Sequence, residues 1–263
     1  MVERRSRHAH TAALTRPTPA AAGTLVIGAG IAGVAVAHAL AERGDGDVLI
    51  VDERAPMTLT SAMSTECYRD WWPGPDAAMV GLVGRSIDIL ERLAAASGNA
   101  FHMNRRGYLF ATADERRVHE WVTAAEQVTA HGGGPLRRHD TGGSEYVPAP
   151  PRGVDASLRG ADLITDRGAI ERHFPYLAPE VVAVLHARRC GWLSAQQLGT
   201  YLLETACASG ARLVRGRVEA IRADGGRVRG VCIDGRDVPV ERVVIAAGPF
   251  ARDVAAWLGV DLP

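Results

Sequence analysis

Three glycines set between two apolar strands constrain this chain more than any other feature. Thr24-Leu25-Val26-Ile27 is a short apolar run of the kind that forms a strand buried on both faces of a parallel sheet. Gly28-Ala29-Gly30-Ile31-Ala32-Gly33 is the turn that follows. A helix from Val34 to Arg43 comes next, stopped by Gly44. Asp45-Gly46 then turns the chain into a second apolar strand, Val48-Leu49-Ile50-Val51, which ends at Asp52. Read this way, the apolar stretch 23–40 is a strand, turn and helix rather than a membrane span, for which it is borderline in length and broken by glycine. Gly28 permits a tight turn out of the strand. Gly30 lets the backbone approach a pyrophosphate that a side chain would strike, and Gly33 lets the helix pack close to the strand. The helix N-terminus turns amide hydrogens and its positive dipole toward phosphates. Asp52 follows Gly33 by nineteen residues, where an acid accepts hydrogen bonds from ribose hydroxyls. The combination points to a dinucleotide site, with a glycine-rich packing turn as the plainer alternative. An acid at this position disfavours a 2′-phosphate, hence NADP.

Composition removes other chemistries. The 263-residue chain carries 30 basic and 30 acidic residues, and every basic one is arginine. That excludes a Walker-type lysine loop, a Schiff-base lysine and any lysine general base. Zero net charge gives no support for a nucleic-acid or anionic-membrane partner. The cysteines, Cys67, Cys190, Cys207 and Cys232, form no CxxC pair, so neither a disulfide framework nor a zinc site is expected, and reduced cytoplasmic thiols are. His102, His119, His131, His139, His173 and His186 share no ligand spacing, and no metal site is expected. Residues 1–22 hold Arg4, Arg5, Arg7 and Arg16 against Glu3 alone and lack an apolar export core, so they read as a disordered leader in which His8 and His10 make no site.

Further along, Pro73-Gly74-Pro75 precedes an amphipathic helix from about Asp76 to Ser97-Gly98, with Met79, Leu82, Val83, Ile87, Leu90 and Leu93 at helical spacing. Tyr108–Ala111 reads as a strand. A second amphipathic helix carries Val118, Trp121, Val122, Ala125 and Val128. Residues 131–160 read as a long exposed Gly/Pro-rich loop. A short helix at Ala169–His173, a strand at Val181–His186 and a helix at Ala195–Ala208, with Leu198, Tyr201, Leu202 and Thr205 inward, come next. From Leu213 the pattern becomes a meander: Val218–Ala223, Val228–Ile233 and Val238–Val240, joined by Asp-Gly turns. It runs into another buried strand and glycine turn, Val243-Val244-Ile245-Ala246-Ala247-Gly248-Pro249. The glycine fingerprint alone does not choose between FAD and NAD. A nicotinamide domain continues with alternating strands and helices after its second strand, whereas here the nucleotide domain is interrupted and resumed some 190 residues later.

This arrangement resembles the FAD-dependent amine oxidoreductases of the D-amino-acid oxidase, glycine oxidase and sarcosine oxidase superfamily. The resemblance rests on Gly28–Gly33 with Asp52, on Leu59-Thr60-Ser61-Ala62-Met63-Ser64-Thr65-Glu66, on the meander at Val218, and on Val244–Phe250. It implies an α/β fold: a Rossmann-like FAD-binding domain with a central parallel sheet and β-meander, interrupted by a partial α+β substrate domain. The implied boundaries are 23–100 with 190–263 for the FAD domain and 101–189 for the substrate domain. It implies non-covalent FAD, since Glu66-Cys67 stands where some relatives carry a flavin-linked histidine. The implied contacts are Gly28, Ala29, Gly30, Ile31, Ala32 and Gly33 at the pyrophosphate, and Asp52, Glu53 and Arg54 at the adenosine. Thr60, Ser61, Ser64 and Thr65 would wrap the pyrophosphate and ribityl chain, Val218 would offer its backbone to adenine, and Ala246, Ala247 and Gly248 would lie under the ribityl chain. A polar loop capping the next helix is the plainer reading of the hydroxyl segment.

In such enzymes flavin N5 accepts a hydride from the carbon beside an amine nitrogen, and water hydrolyses the resulting imine. The implied partner is a small amine or amino-acid substrate, and the residues do not single out a catalytic group. Trp71-Trp72 reads as core more readily than as a flavin wall, and Arg69 as a surface or Asp70-linked arginine more readily than as a carboxylate ligand. Superfamily members are longer, so the expectation is the N-terminal portion, or one piece of a split enzyme with a partner chain supplying the rest. A non-catalytic flavin-binding or assembly subunit and an NAD-dependent dehydrogenase are the alternatives.

Overall fold

The computed structural model describes residues 16–141, 145–154 and 158–263. His8, His10 and most of the expected leader lie outside them. The described chain forms two compact units, one of residues up to Thr65 together with Ala195–Pro263, the other Glu66–Ser194.

The first unit is built on a six-stranded sheet. Its strands are β1 (Ala22–Ile27), β2 (Val48–Asp52), β9 (Arg212–Arg215), β10 (Val218–Asp224), β11 (Arg227–Ile233) and β12 (Arg236–Ile245), in the order β10-β11-β12-β1-β2-β9. β12, β1, β2 and β9 run parallel, and β10-β11-β12 form an antiparallel meander. Leu25, Val26, Leu49 and Ile50 are fully buried, as strands covered on both faces require. One face packs Leu25, Ile27, Leu49, Val51, Val214, Ile233 and Val240 into a single apolar cluster. Helices α1 (Ile31–Glu42) and α5 (Ala195–Ala208) pack on one another. The buried residues of α5 are Ala195, Leu198, Gly199, Leu202, Leu203 and Ala206, while Tyr201 and Thr205 are half-buried.

Two expectations change here. The last strand of the meander and the strand at Val243–Ile245 are one element: β12 pairs with β11 at its start and, through Val240–Ile245, with β1. Pro239 is tolerated inside it because the strand is changing partners at that point. The N-terminal segment also becomes ordered before residue 23, since the Arg16 N–H donates to the Leu213 carbonyl and Ala22 opens β1.

The second unit holds a four-stranded sheet, order β4-β7-β6-β5. These strands are β4 (Tyr108–Thr112), β5 (Leu136–His139), β6 (Ala161–Ile164) and β7 (Ala183–Ala187). A separate ladder pairs β3 (Cys67–Arg69) with β8 (Cys190–Trp192). The unit's helices are α2 (Ala78–Ala96), α3 (Glu115–Ala130) and α4 (Arg167–His173). The strand at 67–69 and α2 thus fall in this unit, although the sequence reading grouped them with the nucleotide domain.

The expected loop at 131–160 contains β5, which pairs in parallel with β6. The strand Leu136-Arg137-Arg138-His139 looks too charged for a sheet. A single buried acid reconciles it: Asp162 on β6 accepts from Arg137 Nε at 2.6 Å and faces His139 Nε2 at 2.8 Å. Helix α2 buries Val80, Ile87 and Ala94, whereas Met79 and Leu82 are 41% and 64% exposed. Of the other expected positions, Ile87 is buried and Val83, Leu90 and Leu93 are half-buried.

Candidate functional site

The three glycines do different physical work. Gly28 leaves β1 with φ of 107°, and a Cβ there would stand 2.4 Å from the Ala246 carbonyl oxygen. Gly33 lies inside the first turn of α1, where a Cβ would stand 1.9 Å from the carbonyl oxygen of Gly28. Both are dictated by the turn packing on itself and on the end of β12. Gly30 is different. It is the N-cap of α1 with φ of −73°, it makes no side-chain cap hydrogen bond, and a Cβ would meet only Ser61 Oγ, at 3.3 Å. The fold does not need a glycine there, and what its missing side chain leaves is open space in a cleft.

That cleft has a volume of about 370 Å³ and lies wholly within the first unit. Gly28 and Gly30 form one wall beside the N-terminus of α1. Ser61, in a short 3-10 turn at Thr60–Ala62, accepts a hydrogen bond from the Ile31 N–H at 3.0 Å and so caps the helix from a distance. Asp52 closes another side. Its Oδ2 accepts from the Ala29 N–H and its Oδ1 from the Arg54 N–H, both at 2.8 Å. The carboxylate therefore braces the glycine turn and keeps lone pairs to accept further donors. Glu53 and Arg54 form an ion pair at 3.2 Å on the cleft rim. Across from them lie Val218 at the start of β10 and the Ala246-Ala247-Gly248 turn after β12.

Of the residues named from sequence, Gly28, Gly30, Asp52, Glu53, Arg54, Thr60, Ser61, Val218, Ala246, Ala247 and Gly248 line this one cleft. Ala29, Ile31, Ala32 and Gly33 are in the turn and helix behind it, with Ala29 fully buried. Ser64 and Thr65 are exposed and do not line it. Sequence reading missed Met57, Arg217, Asp253 and Trp257, which do. The last two lie on and just past helix α6 (Ala251–Ala256), four residues apart after the glycine turn. That i, i+4 spacing behind Gly248 was the available signal.

The second unit carries buried polar networks instead. His186 Nδ1 lies 2.8 Å from Tyr146 Oη and 2.9 Å from Arg188 Nη1, while Nε2 faces the Arg106 carbonyl at 2.8 Å. An Nε2–H tautomer satisfies all three. Burial, reinforced by the Arg188 charge, pulls the imidazole pKa down to about 4. Burial raises the Asp162 carboxyl, but hydrogen bonds from Arg137 and His139 outweigh it and hold the group below its usual range. Burial pushes the Cys190 thiol up to about 12, so it is an inert core group. Trp71 is buried against Phe110 in the core. Arg69 is not paired with Asp70; its guanidinium stacks 4.6 Å from the Trp72 ring, and Asp70 faces Arg159 and Arg189 instead. Among the described residues no group of His, Cys, Asp and Glu is placed to hold a metal ion. No described helix is long and apolar enough to cross a membrane.

Residues 24–263 match the family of FAD dependent oxidoreductases, known as DAO. The chain belongs to this family. It is 27% identical over 253 residues to 4-methylaminobutanoate oxidase (formaldehyde-forming) of Paenarthrobacter nicotinovorans, a match covering 96% of this chain and 27% of that protein. Its fold is similar to that of the L-proline dehydrogenase of P. horikoshii, with TM-score 0.75 and 22% identity over 94% of this chain and 58% of that one. It is also similar to that of the glycine oxidase of Geobacillus kaustophilus, with TM-score 0.73 and 19% identity over 93% and 60%. The chain thus spans about a quarter of the curated relative and under two thirds of these solved chains. The residues present fit the family's cofactor: a helix N-terminus whose N-cap is a glycine, an open Cβ position at Gly30 and an acid-lined rim meet in one cleft.

Proposed function

We propose that this chain is the FAD-binding portion of an oxidoreductase acting on the carbon–nitrogen bond of a small amine or amino acid. The observation that carries the reading is the convergence of five distant segments on one cleft: the glycine turn, Asp52–Arg54, Thr60–Ser61, Arg217–Val218 and Ala246–Gly248. In this reading Gly28 and Gly30 open the way for the pyrophosphate, and the α1 N-terminus faces it. Asp52 and Glu53 accept from the ribose hydroxyls, while Thr60 and Ser61 donate to the phosphates. Val218 offers its backbone to adenine, and the Ala246–Gly248 turn supports the ribityl chain. Ala29, Ile31, Ala32 and Gly33 hold the turn in shape, and Ser64 and Thr65 are reached further along the cofactor. When bound, FAD supplies the two-electron acceptor for amine oxidation, held without a covalent link. The same reading assigns the protein to the cytoplasm, a reducing compartment in which thiols persist.

The test is direct. The purified protein should be yellow, release FAD on denaturation, and lose its flavin absorbance anaerobically with a cognate amine. A colourless protein that binds NADH would overturn the cofactor assignment. FAD retained but bleached by no secondary amine or amino acid would overturn the substrate class alone.

A further inference from the structure

The cleft has a wall that the dinucleotide pattern does not require. Beyond the Gly248 turn, Phe250 and Trp257 project from either end of the short helix α6, and both line the same cavity as Gly30 and Asp52. They are large apolar side chains left 47% and 42% exposed. An exposed tryptophan is unexceptional on its own. Two aromatics on one wall of a nucleotide cleft are a flat apolar surface facing a ligand that carries a flat ring.

Arg54 completes the wall. Its backbone N–H is tied to Asp52 at 2.8 Å, its guanidinium pairs with Glu53 at 3.2 Å, and its Cζ lies 5.8 Å from the centre of the Phe250 ring. The stretch after β2 and the stretch after β12 are thus held together at the rim by a cation–π contact. This contact orders the rim before any ligand arrives, which lowers the ordering cost of binding.

We propose that Trp257 and Phe250, with Arg54 holding Phe250, form a stacking clamp for the adenine ring of the dinucleotide. The proposal rests on the dinucleotide reading above and goes beyond it. It assigns adenine affinity to side chains after the Gly248 turn, in addition to the backbone at Val218. The ligand class is any adenosine 5′-diphosphate derivative. Stacking reads the ring face rather than its edge, so the clamp favours a purine without reading a particular hydrogen-bond pattern.

The test uses the full chain stripped of flavin, titrated with ADP and separately with FAD. Isothermal titration calorimetry reports ADP and FAD binding in every variant, and it does not depend on turnover. Trp257→Leu should weaken ADP and FAD by the same factor, roughly tenfold to a hundredfold, as expected for loss of one base–aromatic stack. Trp257→Phe should recover most of that loss, and Phe250→Leu should weaken both ligands as well. Thermal unfolding without ligand shows whether each variant is folded, and Trp257→Phe keeps the comparison alive if the leucine variant is not. ADP affinity unchanged in Trp257→Leu, or FAD weakened while ADP is not, overturns the clamp. If the unsubstituted chain binds neither FAD nor ADP, the dinucleotide reading itself fails, and that outcome is distinct from the other two.

Discussion

Alanine at each of the three glycines separates what the fold demands from what the ligand demands. Ordinary van der Waals contact with a Cβ lies at 3.4–4 Å. Gly28→Ala would place a methyl 2.4 Å from the Ala246 oxygen, at a φ of 107° that side chains rarely adopt. The backbone cost is roughly 1–2 kcal/mol, and overpacking adds about 1–3 kcal/mol more. Gly33→Ala gains at most about 1 kcal/mol of helix propensity. It sets a methyl 1.9 Å from the Gly28 oxygen, and no flexible side chain is there to move aside. Gly30→Ala meets only a serine hydroxyl at 3.3 Å and costs about 1 kcal/mol or less as a poorer N-cap. Differential scanning calorimetry should therefore show the Gly28 and Gly33 variants melting well below the parent. Gly30→Ala should melt within about 4 °C of it. Equilibrium dialysis should show Gly30→Ala with FAD affinity reduced more than about tenfold, because its methyl would fill the space that the proposed function assigns to the pyrophosphate. A Gly30→Ala protein that melts like Gly33→Ala would refute the separation. One that keeps full FAD affinity would show that the pyrophosphate does not pass Gly30.

Further predictions concern the polar groups. His186 has its folded pKa depressed to about 4, so its contribution to stability is present above about pH 6.5 and is lost as pH falls toward 4. That loss is on the order of 3 kcal/mol. NMR titration of the imidazole should place the midpoint near 4, and a midpoint near 6.5 would contradict the burial argument. Asp162→Asn removes the acid shared by Arg137, His139 and Arg188 and should destabilise the second unit by about 3–5 kcal/mol, read by chemical denaturation. A cost below about 1 kcal/mol would show that the cluster is replaceable. Thiol-specific alkylation of the native protein should label the exposed Cys67 and spare the buried Cys190 until unfolding. Rapid labelling of Cys190 in native buffer would count against the packing around β8.

Sequence pattern made the parallel core readable because burial on both faces leaves a signature in single short segments. Thr24–Ile27 and Val48–Val51 are uninterrupted apolar runs, and the glycines between them answer to steric rules that act within a few residues. The meander was legible through its Asp-Gly turns, although its last strand was read as two. Nothing in residues 236–245 announces that the strand exchanges β11 for β1 halfway along. β5 was missed for a related reason: its charges are acceptable only because Asp162 stands beside them, and that acid is 25 residues from Arg137.

The site divides in the same way. The glycine turn, Asp52 and the Ala246–Gly248 turn carry local geometric demands that fix residue type, so the sequence by itself determined the strand–turn–helix start of the fold and most of the residues that line the cleft. Tertiary structure alone decided that Asp52 braces the turn through Ala29, and that Ser61 caps α1 from thirty residues away. It also decided that Arg54 meets Phe250 across the rim. Those pairings depend on where the sheet brings chain ends together, and hydrogen bonds and ring contacts between distant segments leave no periodicity to read.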